Sequence, residues 1–426
     1  MKAMTVRLHQ RGAATLVVVM VLFFIMAMMA AYANRNLIFE QRIASNYYRS
    51  GVALEAADAG SEWALGRLNG LNVNDSCTAA GSPTQSFRQR YLGVAPASRQ
   101  LTPLKIGTSA SCVRVAGLQG WTCQCPVSGW SDATIAAAAQ MQPSFAIEFQ
   151  PAGRAGVVRV ISRGCTGSQT TVCKDDQAAT SLQMLATATV RVEAALVSAL
   201  KMPPAQPLTI RQTVTDGVGA LGLHNTDPRS SGLLLQTGGA APVLADGRLD
   251  SLPGTPVQQA LLSNDGLLAT MEPDAMFASF FGMAPGQYRD QPAMRIRQCD
   301  GDCMEMLKAA YNQGVRMVWI DGPLNLSSND VLGSDIGPLL IVADGNVTIN
   351  GPMVLNGLLY ARGDIVWNNP PGGQLGLLNG ALIGERTLQV SGRVDLWYRG
   401  AIIDALSNAT GSFVRVPGSW WDAGGG

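Results

Sequence analysis

Residues 13–33 read AATLVVVMVLFFIMAMMAAYA, 21 consecutive positions without a charge. As a helix rising ~1.5 Å per residue, that run crosses the ~30 Å hydrocarbon layer of a bilayer. Residues 34–68 follow with no proline and a change of pattern. Phe39, Ile43, Tyr47, Leu54, Leu65 and Leu68 recur at spacings of three, four, seven and eleven, with Ala57 and Ser61 filling the stripe and most charges lying off it. This is a helical period. The two segments predict one helix over residues 13–68, about 84 Å long. Gly51, Gly60 and Gly66 weaken it by about 1 kcal/mol each relative to alanine, and Asn69-Gly70 supplies a stop signal.

Beyond the helix the period shortens. Residues 145–149 and 157–161 are apolar or alternating runs between Gly, Pro and Ser clusters, which predicts strands. Residues 185–193 begin with a strand period, and their Ala-rich continuation to Leu200 fits either strand or helix. Residues 200–255 read as Gly-, Pro- and Thr-rich connections, and 257–282 and 303–312 carry helical stretches. From Met317, the apolar runs around Trp319, Ile341, Leu359 and Leu382 begin units of roughly twenty residues, and Gly357, Gly380 and Gly400 each precede an apolar pair. Two short strands per unit, stacked so that each coil hides its neighbour's apolar face, predict a β-solenoid-like region. An antiparallel β-sandwich is the alternative.

The fold class expected is α+β, with six segments: 1–12 a cytoplasmic leader, 13–34 the membrane part of the helix, 35–69 its amphipathic part, 70–205 a β-rich head, 206–316 a mixed connecting region and 317–426 the β-solenoid-like region. The leader carries Lys2, Arg7 and Arg11 and no acid, so it should stay in the cytoplasm and the rest should lie across the membrane. A cleaved secretory signal would have an apolar stretch about half as long.

Charge narrows the chemistry. Lys+Arg 31 against Asp+Glu 30 offers no basic surface for nucleic acid. With only two histidines, His9 and His224, a histidine metal centre or His-based hydrolase has little to work with. Asp321, Asp330, Asp335, Asp344, Asp364 and Asp395 scatter over turns instead of recurring at one coil position, as glycan-cleaving carboxylates would. Asp300-Gly301-Asp302 and Lys174-Asp175-Asp176 lack the alternating oxygen ligands of a calcium loop, and no phosphate loop is present. No cofactor and no enzymatic activity are expected.

Eight cysteines suit an oxidising compartment. Cys165 and Cys173 flank a short loop between strands and are the favoured pair. Cys299 and Cys303 form a second candidate pair. Cys77, Cys112, Cys123 and Cys125 leave three pairings open, and Cys123-Gln124-Cys125 lacks zinc-ribbon spacing.

Gln10-Arg11-Gly12-Ala13-Ala14, the apolar run after it, and the later Glu55-Ala56-Ala57-Asp58-Ala59-Gly60 and Glu62-Trp63-Ala64 together resemble a type IV prepilin, and more closely the PilX-type minor pilins. Phe280-Phe281-Gly282 and the closing residues 416–420 also look like elements of that family. The resemblance implies cleavage by a prepilin peptidase after Gly12, leaving Ala13 as a methylated mature terminus. It also favours the Cys165–Cys173 bridge. Major pilins have a glutamate five residues into the mature chain; here that position is Val17. The implied role is a minor pilin at the filament end, held first in the inner membrane and then in the pilus. Its implied partners are the major pilin, other minor pilins, the assembly platform and a tip adhesin. A type II secretion tip pseudopilin and a pilus-displayed adhesin are the alternatives.

Overall fold

The computed structural model describes residues 13–114, 120–127, 142–167, 186–217, 219–327, 329–370 and 372–423. Ala13–Leu68 forms one unbroken helix of 56 residues, α1. Asn69 closes it. Its Nδ2 donates to the carbonyls of Leu65 at 3.0 Å and Phe413 at 2.8 Å, while the Phe413 N–H donates to Asn69 Oδ1 at 2.7 Å. The end of the helix is thereby joined to a strand near the other end of the chain, Gly411–Arg415.

The head is an antiparallel sheet centred on β1 (Thr108–Val113), β2 (Ser144–Pro151), β3 (Val157–Cys165) and β4 (Thr187–Ser198), with Thr122–Gln124 outside β1 and Gly411–Arg415 outside β4. The Ala-rich stretch that fitted either structure is strand. Ala188, Val190, Val192, Ala194 and Leu196 are all buried, and the residues between them are more exposed, the period of two that a half-buried strand requires.

Two bridges resolve the pairings the sequence left open. Cys112 and Cys123 stand opposite each other across an antiparallel pair, with Cα atoms 4.0 Å apart. Cys125 reaches back to Cys77, with Cα atoms 5.2 Å apart. Cys299 and Cys303 are also bridged. Cys165 is disulfide-bonded, and Cys173 lies outside the described residues.

The second body is a stack of parallel strands. Met317–Ile320, Leu339–Ala343, Val354–Ala361 and Gly376–Gly384 lie side by side in one sheet; Leu324–Leu326, Val347–Asn350, Ile365–Asn368 and Leu388–Ser391 lie side by side in another. All these pairings are parallel, which an antiparallel sandwich is not. Val318, Ile341, Leu359 and Leu382 align in register and point into the core between the sheets. Trp319, Val342, Tyr360 and Ile383 align on the opposite face, where they meet Met276, Phe277 and Phe281 of the helix Pro273–Phe281. A sheet covered on both faces needs no polar alternation, hence runs such as LLIVA.

Gly357 and Gly380 are paired in register, each with positive φ. A Cβ on either would come within 1.8 Å of the carbonyl oxygen on the strand before it, Leu339 or Gly357. Only glycine lets these backbones approach so closely.

Two expectations about this body need correction. Gly400 does not begin a further coil, because Gly400–Asp404 is a short helix. Nor is the segment before residue 317 merely connecting. Leu208–Ile210, Val214–Asp216 and Leu221–His224 run parallel to Leu382–Gly384, Leu388–Val390 and Val394–Trp397, and Arg295–Arg297 pairs with Val318–Ile320. Early strands therefore close over the last coils, and the stack is not a regular sequential solenoid. Strands of three or four residues between glycines and prolines carry too few apolar positions to announce themselves; they gain stability from neighbours about 170 residues away in sequence.

Candidate assembly interface

Along α1 the side chains change their exposure abruptly. From Leu16 to Tyr48 the large apolar residues are exposed, Phe23 by 71% and Tyr47 by 84%. From Ala53 onward one face disappears into the head: Ala53, Ala56, Ala57, Gly60, Ser61, Ala64, Leu65 and Leu68 are buried. The predicted stripe is thus split. Leu65 and Leu68 are core, Leu54 is half-buried, and Phe39, Ile43 and Tyr47 face outward with the apolar run before them.

Small residues define the buried half because β3 comes unusually close. A Cβ at Gly164 would lie 2.1 Å from the Ala53 carbonyl oxygen and 2.4 Å from the Ala57 nitrogen. On the helix side, a Cβ at Gly60 would lie 2.2 Å from Ser162 Oγ. Next to this seam Trp63 packs edge-on to Phe87 at 5.4 Å, and Phe145 stands 5.6 Å from the same indole. The final residues hold the outer flank: Trp420 Nε1 donates to Asp58 Oδ1 at 3.1 Å, and Arg415 pairs with Glu62. The sequence pattern marked the larger side chains and missed Gly164, whose only signal is a glycine within a strand.

The exposed half has no charged residue before Arg35, and Glu40 is the first acid of α1. Val17 is 58% exposed, and the sequence puts no acid on this half of the helix before Glu40. Ala13 begins the helix, and Gly12 lies outside the described residues. An apolar surface this long has two chemically suitable surroundings, hydrocarbon or other apolar helices.

The residues considered for catalysis do not converge. Asp321 pairs with Arg289 at 2.8 Å, Asp344 with Arg362 at 3.0 Å, Asp330 with Lys308 and Asp395 with Arg248, while Asp364 accepts from Thr387 Oγ1 at 2.8 Å and Asp335 is exposed. His224 is buried flat against Trp397, with ring centroids 4.0 Å apart; Nδ1 lies 3.1 Å from Asp250 and Nε2 lies 3.7 Å from Asp395. Burial pulls the imidazole pKa down, but the two carboxylates outweigh it and hold it above the usual histidine value. Both ring nitrogens face carboxylates, which favours the protonated form of the ring.

Asp302 is a turn residue, accepting the N–H groups of Met304 and Ser327, each at 3.1 Å. Lys174, Asp175 and Asp176 lie outside the described residues. Among the described residues no group of three or more His, Cys, Asp and Glu side chains is placed to hold a metal.

Residues 11–62 match the family model "PilX N-terminal". No curated protein matches the chain. Two solved structures are similar at low identity. One is an ice-binding protein from the Antarctic ascomycete Antarctomyces psychrotrophicus, 12% identical over 46% of this chain and 96% of that one, with a TM-score of 0.24. The other is the competence-associated pilin ComZ from Thermus thermophilus, 12% identical over 88% of this chain and 97% of that one, with a TM-score of 0.19.

Proposed function

The chain carries a PilX-type pilin N-terminus, and from that premise we propose that it is a minor pilin taking part in type IV pilus assembly. The observation that carries this reading is the apolar half of α1, which the chain's own head leaves uncovered from Leu16 to Tyr48. In the precursor, lipid surrounds that surface, with the N-terminus cytoplasmic and the head across the inner membrane. Cleavage after Gly12 by the prepilin peptidase removes the basic leader and leaves Ala13 as the mature terminus. The helix then exchanges lipid for the helices of the major pilin and of other minor pilins, one apolar setting for another.

Val17 favours a special place in the filament. A carboxylate at this position would neutralise the terminal ammonium of a neighbouring subunit inside the apolar bundle, where an unpaired charge costs several kcal/mol. This subunit offers no such partner. The head and the second body of stacked strands are together bulky, and bulk is best accommodated at the filament end, where no subunit must stack above. An initiating or capping position at the tip satisfies both conditions.

N-terminal sequencing from wild-type and peptidase-deficient cells tests the processing step. The expected result is a chain beginning at Ala13 in the first and an uncut chain in the second. A chain that starts at Met1 in wild-type cells and never copurifies with sheared fibres would overturn the assignment. Deletion distinguishes the roles: loss of pili supports assembly, whereas intact pili that no longer attach would replace it with an adhesin role.

A further inference from the structure

Where the head meets the coil stack, three arginines line one cavity of about 230 Å3: Arg88 from the head, Arg295 from the first strand of the stack and Arg316 from the turn before the next. Among the described residues no aspartate or glutamate lines it. Each guanidinium is held by neutral groups. Arg88 donates to the carbonyls of Ala409 and Gly411 and lies 5.4 Å from the Phe413 ring centroid. Arg295 donates to Pro292 at 2.8 Å, Met294 at 2.9 Å and Asn69 at 2.7 Å. Arg316 donates to Tyr311 at 3.0 Å and Val315 at 2.8 Å, and stacks on the Tyr311 ring at 4.1 Å.

Arg99 and Arg211 are half-buried and donate to backbone carbonyls, but several other shielded arginines in this chain meet acids: Arg90 with Asp75, Arg163 with Glu148, Arg248 with Asp395 and Arg362 with Glu385. The cavity arginines do not, among the described residues. Burial is the larger cause, and the charge of Arg316 the smaller one, that pushes Arg88 down to about 10. Burial likewise lowers Arg295 and Arg316. Partly withdrawing three like charges from water without a counterion is unfavourable, and a planar guanidinium fork is the group best matched to a carboxylate or phosphate.

We propose that this cavity is an anion-binding site, taking a small carboxylate- or phosphate-bearing ligand beside the three arginines that line it. Its volume lies below the ~300–1,000 Å3 of pockets for drug-sized molecules, which limits the ligand to a few heavy atoms. The walls are apolar as well as cationic, with Leu92, Val94 and Met317 beside the arginines. Because the site takes residues from both bodies, a bound anion would clamp head to stack. Nothing in this proposal depends on the pilus assignment.

The test is calorimetric titration of the full chain in detergent with inorganic phosphate, succinate and neutral succinamide in separate arms. Phosphate or succinate is expected to bind with a dissociation constant at or below about 1 mM, and succinamide not at all. Whichever anion binds tighter identifies the oxyanion class. Arg316→Gln and Arg295→Gln should each weaken binding at least about tenfold, with Arg316→Lys recovering part of the loss. Unliganded melting of each variant controls for folding, and the bound anion should raise the melting temperature of the wild type. Absence of binding by both anions, or equal affinity in wild type and in both folded Gln variants, would overturn the proposal.

Discussion

The two halves of α1 are one continuous helix, yet they are built for opposite surroundings. The first half carries Leu, Val, Met, Ile and Phe around its circumference, and all of these large residues are exposed from Leu16 to Tyr48. The second half turns Ala53, Ala57, Gly60 and Ala64 toward the head and buries them completely or nearly so. The difference shows that burial within a chain follows from shape as well as hydrophobicity. The small residues are buried because a sheet can come close to them. The large ones are exposed because the surface that suits them is supplied by lipid or by another helix.

The seam offers the strongest way to break this contrast. Gly164→Val would drive a side chain into the backbone at Ala53 and Ala57, where neither neighbour can yield by rotating. The expected loss is more than about 3 kcal/mol, read as a large drop in the melting temperature of the full chain in detergent. In the exposed half, Phe24→Asp should leave head melting unchanged and disfavour membrane insertion by about 2.5–3.5 kcal/mol. Membrane fractionation and recovery in sheared fibres read that outcome. A mutant whose head also melts early would show that the two halves are not independent.

Smaller effects sharpen the picture. Asn69→Ala removes the exchange with Phe413 and leaves its buried N–H and carbonyl without the partner, at an expected cost of about 1–3 kcal/mol in thermal or denaturant unfolding. His224 adds a pH dependence. Its folded pKa is raised, so its contribution is fully present below the unfolded value of about 6.5 and is lost as pH rises through the folded value. His224→Gln should flatten that part of the stability profile, measured by melting between about pH 5 and 9.

The long helix was legible residue by residue because its cues are local: an uninterrupted apolar run, no proline, and Asn69-Gly70 at the end. The core strands of the stack were legible too, since LLIVA needs cover on both faces wherever it is placed. The early strands Leu208–Ile210 and Val214–Asp216 were not, because they are too short to show a period and are stabilised by partners near Leu382 and Leu388. The arginine cavity was equally invisible. Nothing in the sequence singles out Arg88, Arg295 and Arg316; Arg88 stands about two hundred residues before the other two, and only the meeting of two bodies places them together.

Sequence alone determined the membrane-length helix, the β-rich body behind it and the even set of cysteines, since each depends on the period, length or count of nearby residues. Tertiary structure decided which face of α1 belongs to its own head, which cysteines meet across β1, and where early strands close the stack. These outcomes depend on which distant backbones can approach without a clash and which polar groups find partners when they do. Such distances exist only after the chain has folded back on itself.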